Sequence, residues 1–345
     1  MTDAALPNLA AQAGWLPLAF LFIMGLAILA YVVLDGYDLG VGILLRTAPE
    51  EDKDTMVNAI GPFWDANETW LVLGVGILLT AFPLAHGAIL TALYLPVALM
   101  LAGLILRGVA FDFRVKAQAD HKPLWNALFS AGSLLATAAQ GYMVGALVCG
   151  FRSGWLPTLF SLFIALCLVA AYNLLGAGWL LIKTSGALQQ RALAWAQGSL
   201  RLTLCGVIAV SAVTPLVSPH VLDRWFAGPN FVLLLPIPVL TGLLVGVIHF
   251  YLGHLPEQLR RGDERHAWVP FAATVGIFVL AFLGLAYSLF PYLVVDRLTL
   301  WQAASDPEAL RVIFAGSVVV LPMILAYTAY MYRVFSGKAT PLEYY

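Results

Sequence analysis

Charge is what this sequence has least of. Only 11% of its 345 residues are Asp, Glu, Lys or Arg, against roughly 25% in soluble globular chains. So little charge cannot coat a water-soluble enzyme of this length. Cysteine is rarer still. Cys149, Cys167 and Cys205 lie in apolar stretches without CxxC spacing, which removes a disulfide framework and a thiolate metal knuckle. The net charge of −1 provides no general attraction to nucleic acid. There is no P-loop, nucleophile elbow or zinc-ligand spacing. Nor is there a run of alternating segments of roughly 10 residues, as a membrane β-barrel needs.

What is abundant is apolar surface. Hydrophobic residues make up 61% of the chain, which excludes intrinsic disorder and points to a multi-span membrane protein. A membrane helix needs about 20 mostly apolar residues. Nine segments qualify, at 16–40, 66–84, 87–112, 125–149, 156–182, 200–217, 230–253, 267–291 and 311–334. The first fifteen residues carry no Lys or Arg, and the apolar stretch from Trp15 to Leu34 exceeds a signal-peptide core. It therefore reads as a first span.

Basic residues orient the spans. With the N-terminus outside, 14 of the 18 Lys and Arg residues fall inside; only Arg152, Arg224, Arg297 and Arg311 fall outside. The expected architecture is an all-α polytopic membrane protein with nine transmembrane helices, N-out and C-in. It forms a single membrane domain over 1–345, comprising a four-helix bundle at 16–149, a second at 156–291 and a ninth helix at 311–334. Ala30-Tyr31…Leu34…Leu39 recurs 141 residues later as Ala171-Tyr172…Leu175…Leu180. Two parallel bundles would explain that echo, and so would composition.

Ionisable residues at membrane depth are functional candidates by default, and here they gather at one end of the first three spans. In Asp35-Gly36-Tyr37-Asp38-Leu39-Gly40-Val41-Gly42, Tyr31, Asp35 and Asp38 share a helix face, and the glycines admit a close neighbour. In Pro62-Phe63-Trp64-Asp65-Ala66-Asn67-Glu68-Thr69-Trp70, Asp65 and Glu68 are one turn apart. Asp65 equally suits a helix-capping role. In Arg107-Gly108-Val109-Ala110-Phe111-Asp112-Phe113-Arg114, the basic groups suit positive-inside anchoring. Arg107, the deepest, suits pairing with a carboxylate of the first two groups, and Asp112 stands four residues before Lys116. Such acids suit an inlet for protons or cations. No two histidines sit mid-span on facing helices, so a haem of its own is not expected. The Trp and Tyr residues near span ends read mainly as an interfacial belt. A stand-alone transporter or cation carrier is the alternative, although transporter sites usually lie at the midplane.

These three blocks, in this order, resemble those of subunit II of the cytochrome bd-type quinol oxidases, and Tyr332-Arg333-Val334-Phe335-Ser336-Gly337-Lys338 resembles the end of that family. The resemblance implies a subunit of a bacterial inner-membrane oxidase that reduces dioxygen with quinol electrons. It implies that the haems belong to a partner subunit I, and that this chain packs against that partner with no haem. By position it implies a proton pathway through Asp65, Asp38, Asp35 and Glu68, with Arg107, Asp112, Arg114 and Asn67 in structural or ion-pair roles. A bound quinone, with Trp64 as its contact, and small single-span accessory subunits complete the expectation.

Overall fold

A computed structural model describes residues 14–339. Nearly all of it is helix. The first helix, α1, runs Leu16–Leu44, and a short amphipathic helix, α2, follows at Glu50–Ile60. Then come α3 (Trp64–Ala81), α4 (Pro83–Ala92), α5 (Tyr94–Lys116), α6 (Lys122–Val148), α7 (Trp155–Lys183) and α8 (Gly186–Val217). Two short helices, α9 (Pro219–Phe226) and α10 (Pro229–Leu234), lead into α11 (Pro236–Arg260) and α12 (Val269–Leu289). A small hairpin of β1 (Tyr292–Val294) and β2 (Leu298–Thr299), a single turn α13 (Leu300–Ala303) and α14 (Pro307–Val334) complete the chain.

Among the described residues, eight helices are long and apolar enough to cross a membrane, and a ninth span is reached if the bent pair α3 and α4 counts as one. That pair is bent by 119° for a local reason. Pro83 has no N–H to donate, and it pushes the residue before it out of the helical region. Phe82 accordingly sits at φ −135°, ψ 58°. The boundary expected between spans at 84 and 87 is thus a sharp corner followed by a separate short helix.

The fold also differs from the expected spans at the inner ends. Residues 186–199, expected as loop, are the first part of α8. They carry an apolar stripe (Leu188, Ala192, Leu193, Ala196) that is buried, so packing makes this segment helical outside the apolar window. The same applies to α2, whose Met56, Val57, Ala59 and Ile60 are buried.

The first and seventh helices cross at the centre. A Cβ on Gly40 would lie 1.9 Å from the Tyr172 carbonyl oxygen, and one on Gly176 would lie 2.5 Å from the Gly40 carbonyl carbon. Only glycine permits that backbone-to-backbone approach. One continuous core surrounds the crossing and draws residues from α1, α2, α5, α6, α7, α8, α11 and α12. By contrast α14 buries fully only Leu310, leaving an apolar surface suited to lipid or protein neighbours in the membrane.

Candidate functional site

The first helix rises about 1.5 Å per residue, so Asp35 lies about 29 Å beyond Leu16, close to the full thickness of a hydrocarbon core of about 30 Å. Both Asp35 and Asp38 are 0% exposed. Packing against α3, α6, α7 and α14, with Arg107 of α5 reaching in, accounts for this burial, and their neighbours are therefore specific groups.

Asp35 faces Arg107 of α5, itself 1% exposed; Nη2 lies 2.7 Å from Asp35 Oδ1. The same Nη2 donates to Glu68 Oε1 of α3, whose side chain is 28% exposed. One guanidinium thus serves two carboxylates. The contact with Asp35 is close but not aligned as a hydrogen bond, and both Asp35 oxygens, Asp38 Oδ1, and Arg107 Nε and Nη1 lack a hydrogen-bond partner among the described residues. Arg107 also lies over the Trp64 ring at 5.8 Å, and that ring packs on Phe111 at 5.0 Å.

Asp38 is held differently. Its Oδ2 accepts from Asn67 Nδ2 at 2.7 Å. The same amide nitrogen lies 3.0 Å from the Tyr37 hydroxyl, and Asn67 Oδ1 accepts from the Tyr332 hydroxyl at 3.1 Å. The two tyrosine hydroxyls are 2.6 Å apart. Each hydroxyl has one proton, so the directions follow. Tyr332 donates to Asn67, Tyr37 donates to Tyr332, and Asn67 donates to Tyr37. This closed ring leaves the second N–H of Asn67 for Asp38, with the Leu34 carbonyl oxygen a longer contact of the same nitrogen at 3.3 Å, and it fixes the orientation of the amide. Tyr332 comes from the far end of the chain, and only the tertiary fold reveals it as a partner.

A third polar element continues from Asp35 toward the other half. Tyr31, one turn before Asp35 on α1, accepts from Gln140 Nε2 at 2.7 Å. Gln140 Oε1 accepts from the Tyr172 hydroxyl at 2.8 Å. The two tyrosines of the echo between the first and fifth expected spans therefore meet on one glutamine.

Asp65 lies elsewhere. It is exposed on the first turn of α3, three residues from Glu68, where its charge complements the helix dipole. It does not cap the helix: the N-cap residue is Phe63, and no side chain caps that end. Asp112 is exposed and forms no ion pair among the described residues. Trp64 is half-buried. Arg114 is buried and ties α5 to its neighbours, with Nε donating to Asn126 Oδ1 and Nη2 to Asp54 Oδ1, each at 2.5 Å. Partial burial pushes the Asp54 carboxyl up, but the Arg114 hydrogen bond and the charges of Arg114 and Lys122 outweigh it and hold the group below its usual range. Arg191 of α8 reaches Asp52 at 3.0 Å and Glu51 at 3.2 Å, so α2 is clasped by both halves of the chain.

The family profile described as cytochrome bd terminal oxidase subunit II matches residues 16–335. The chain is 27% identical to cytochrome bd-I ubiquinol oxidase subunit 2 of Escherichia coli (strain K12), over 92% of this chain and 93% of that one. It is 28% identical to cytochrome bd ubiquinol oxidase subunit 2 of Bacillus subtilis (strain 168), over 91% and 94%. The solved structure of bd oxidase from Geobacillus thermodenitrificans has the same fold, with a TM-score of 0.75, 17% identity, and coverage of 94% of this chain and 99% of that one. The chain belongs to the cytochrome bd terminal oxidase subunit II family.

Proposed function

We propose that this chain, as subunit II of a quinol:dioxygen oxidoreductase, carries protons through its buried carboxyl groups toward a haem-bearing subunit I. The match along almost the whole chain and the named relatives, both subunits of ubiquinol oxidases, support the oxidase reading over a stand-alone transporter. A second oxidase subunit implies a first beside it.

The division of labour rests on donor groups. A membrane haem takes axial ligands, usually His with His or Met. His86, His121, His220, His249, His254 and His266 are all exposed or half-buried, and none lies in the buried core. The residues present do not fit a haem inside this chain, and we assign the haems to subunit I. The quinone expected beside Trp64 has weaker support, because that ring is half-buried against Phe111 and Arg107 and lines neither cavity at the inner face. We place the protein in a bacterial inner membrane with the N-terminus outside, as two four-helix bundles (16–149 and 156–291) and a ninth helix (311–334). The distribution of basic residues supports that topology. The apolar faces of α14 leave room for single-span accessory subunits.

One observation carries the proton reading: two carboxyl groups, Glu68 and Asp35, contact a single buried guanidinium, Asp38 follows one turn after Asp35, and with Asp65 at the surface the four fall in order of exposure. Asp65 is exposed, Glu68 is 28% exposed, and Asp35 and Asp38 are 0% exposed. With all three carboxylates ionised, the Glu68, Asp35, Asp38 and Arg107 set would hold two net negative charges in a low-dielectric setting, a costly state. Exchangeable protons relieve that cost. Asp65 collects them at the surface, Glu68 and Asp35 pass them along the Arg107 contact, and Asp38 receives them under the Asn67 amide.

The test is oxygen consumption by the purified complex carrying Asp65→Asn or Asp38→Asn. We expect turnover to fall about tenfold or more, within the range that a positioned acid–base group supplies, with haem content unchanged. Full turnover in both variants overturns the reading. Loss of haem assigns these residues to assembly instead.

A further inference from the structure

We propose that the inner face carries an anion site built around Lys183 that takes a phosphate headgroup. It goes beyond the proton reading and uses none of its residues. Lys183 ends α7 and is only 4% exposed. Its Nζ donates to the carbonyl oxygens of Phe335 and Gly337 and lies 5.1 Å from the centroids of both the Phe63 and Trp179 rings. Those partners are neutral. No carboxylate among the described residues lies within 4.0 Å of it, whereas its neighbour Lys338 has Glu264 at 2.7 Å. Two of the three N–H donors are thus used, and no charge among the described residues offsets the ammonium, an expensive arrangement for a buried cation.

Lys183 lines a cavity of about 240 Å³ together with Asn58, Pro62, Phe335 and Lys338. The Asn58 side chain makes no hydrogen bond among the described residues and is a spare donor. Cavities for whole drug-sized molecules run from about 300 to 1,000 Å³, so this one suits a headgroup whose remainder lies outside. The site lies at the inner ends of α7 and α14, at the level of the basic loops. Phe335 and Val334 present apolar surface beside it. A phosphate group there would meet Lys183 and Asn58 together. Its source is either an anionic phospholipid of the inner leaflet or free phosphate in the cell.

The experiment uses the detergent-purified two-subunit complex and reads the shift in Tm, at fixed scan rate, on adding short-chain phosphatidylglycerol, short-chain phosphatidylcholine or inorganic phosphate. Phosphatidylglycerol should raise Tm by about 2 °C or more, and phosphatidylcholine should not. An equal rise with inorganic phosphate assigns the site to free phosphate. Lys183→Gln, which keeps donors for the two carbonyls but removes the charge, should abolish the rise. Asn58→Leu, which leaves Lys183 in place, should reduce it and serves if Lys183→Gln fails to assemble. No rise with either anion, or an undiminished rise in the variants, overturns the proposal.

Discussion

The first and fifth expected spans share a frame and fill it oppositely. Tyr31 of α1 and Tyr172 of α7 both bind Gln140. Counting on by the same 141 residues, Asp35 corresponds to Gly176 and Asp38 to Trp179. In α1 these positions hold carboxyl groups that need Arg107 and Asn67. In α7 they hold a glycine that lets the Gly40 backbone approach and an indole that stacks on Tyr37 at 4.3 Å. The same helix positions hold ionisable groups in one half and packing groups in the other. The difference teaches that burial at this depth does not demand charge, so the charges of α1 call for a reason beyond folding.

The comparison breaks first at Arg107. Arg107→Met leaves Asp35 buried without its cation and should cost about 3–5 kcal/mol, read as loss of assembled complex. Adding Asp35→Asn to that variant should restore most of it. Equal assembly with and without Arg107 would mean that α1 needs its charges no more than α7 does. Next comes the shared crossing. Gly40→Ala drives a methyl into the Tyr172 backbone and should destabilise the complex by about 1–3 kcal/mol. Gly76, beside which a Cβ meets nothing within 4 Å, should accept alanine without loss. Tyr332→Phe opens the ring around Asn67 and should cost about 1 kcal/mol, with slower turnover because the Asn67 amide can then turn away from Asp38.

The smallest effect lies outside the membrane. The Asp54 carboxyl is held below its usual range in the folded protein, so the stability it contributes is present above the unfolded value of about 3.9 and is lost as pH falls below it. The Tm difference between wild type and Asp54→Asn should therefore be constant above about pH 5 and shrink below about pH 4. Added salt should reduce it at neutral pH. A difference that grows on acidification would contradict the Arg114 and Lys122 clasp.

These contrasts also mark what could be read from the chain itself. Asp35, Asp38, Glu68, Asn67 and Arg107 stand out because an ionisable or amide group in an apolar helix is conspicuous. Tyr332, Gln140 and Lys183 were hidden for physical reasons. A tyrosine near a span end looks like an interfacial residue and a lysine at a helix end looks like an anchor, whereas Gln140 lies well inside the 125–149 segment and what hid its role is that its partners, Tyr31 and Tyr172, lie far away in sequence. The membrane spans followed from length and apolarity. The amphipathic α2 and the first part of α8 did not, because their burial comes from tertiary packing at the inner surface. Asp65, the residue most prominent by resemblance, is left exposed by the fold, as is Asp112.

On the proton pathway proposed above, the ionisable half of the frame moves protons and the packed half does not. The direct measurement is the rate of proton uptake from the inner side by the reconstituted complex during a single turnover with dioxygen, for Asp38→Asn and Trp179→Phe side by side. The account predicts uptake slowed about tenfold or more in Asp38→Asn and unchanged in Trp179→Phe, with full haem content in both. Uptake at the wild-type rate in Asp38→Asn, or equal slowing in the two variants, would contradict it.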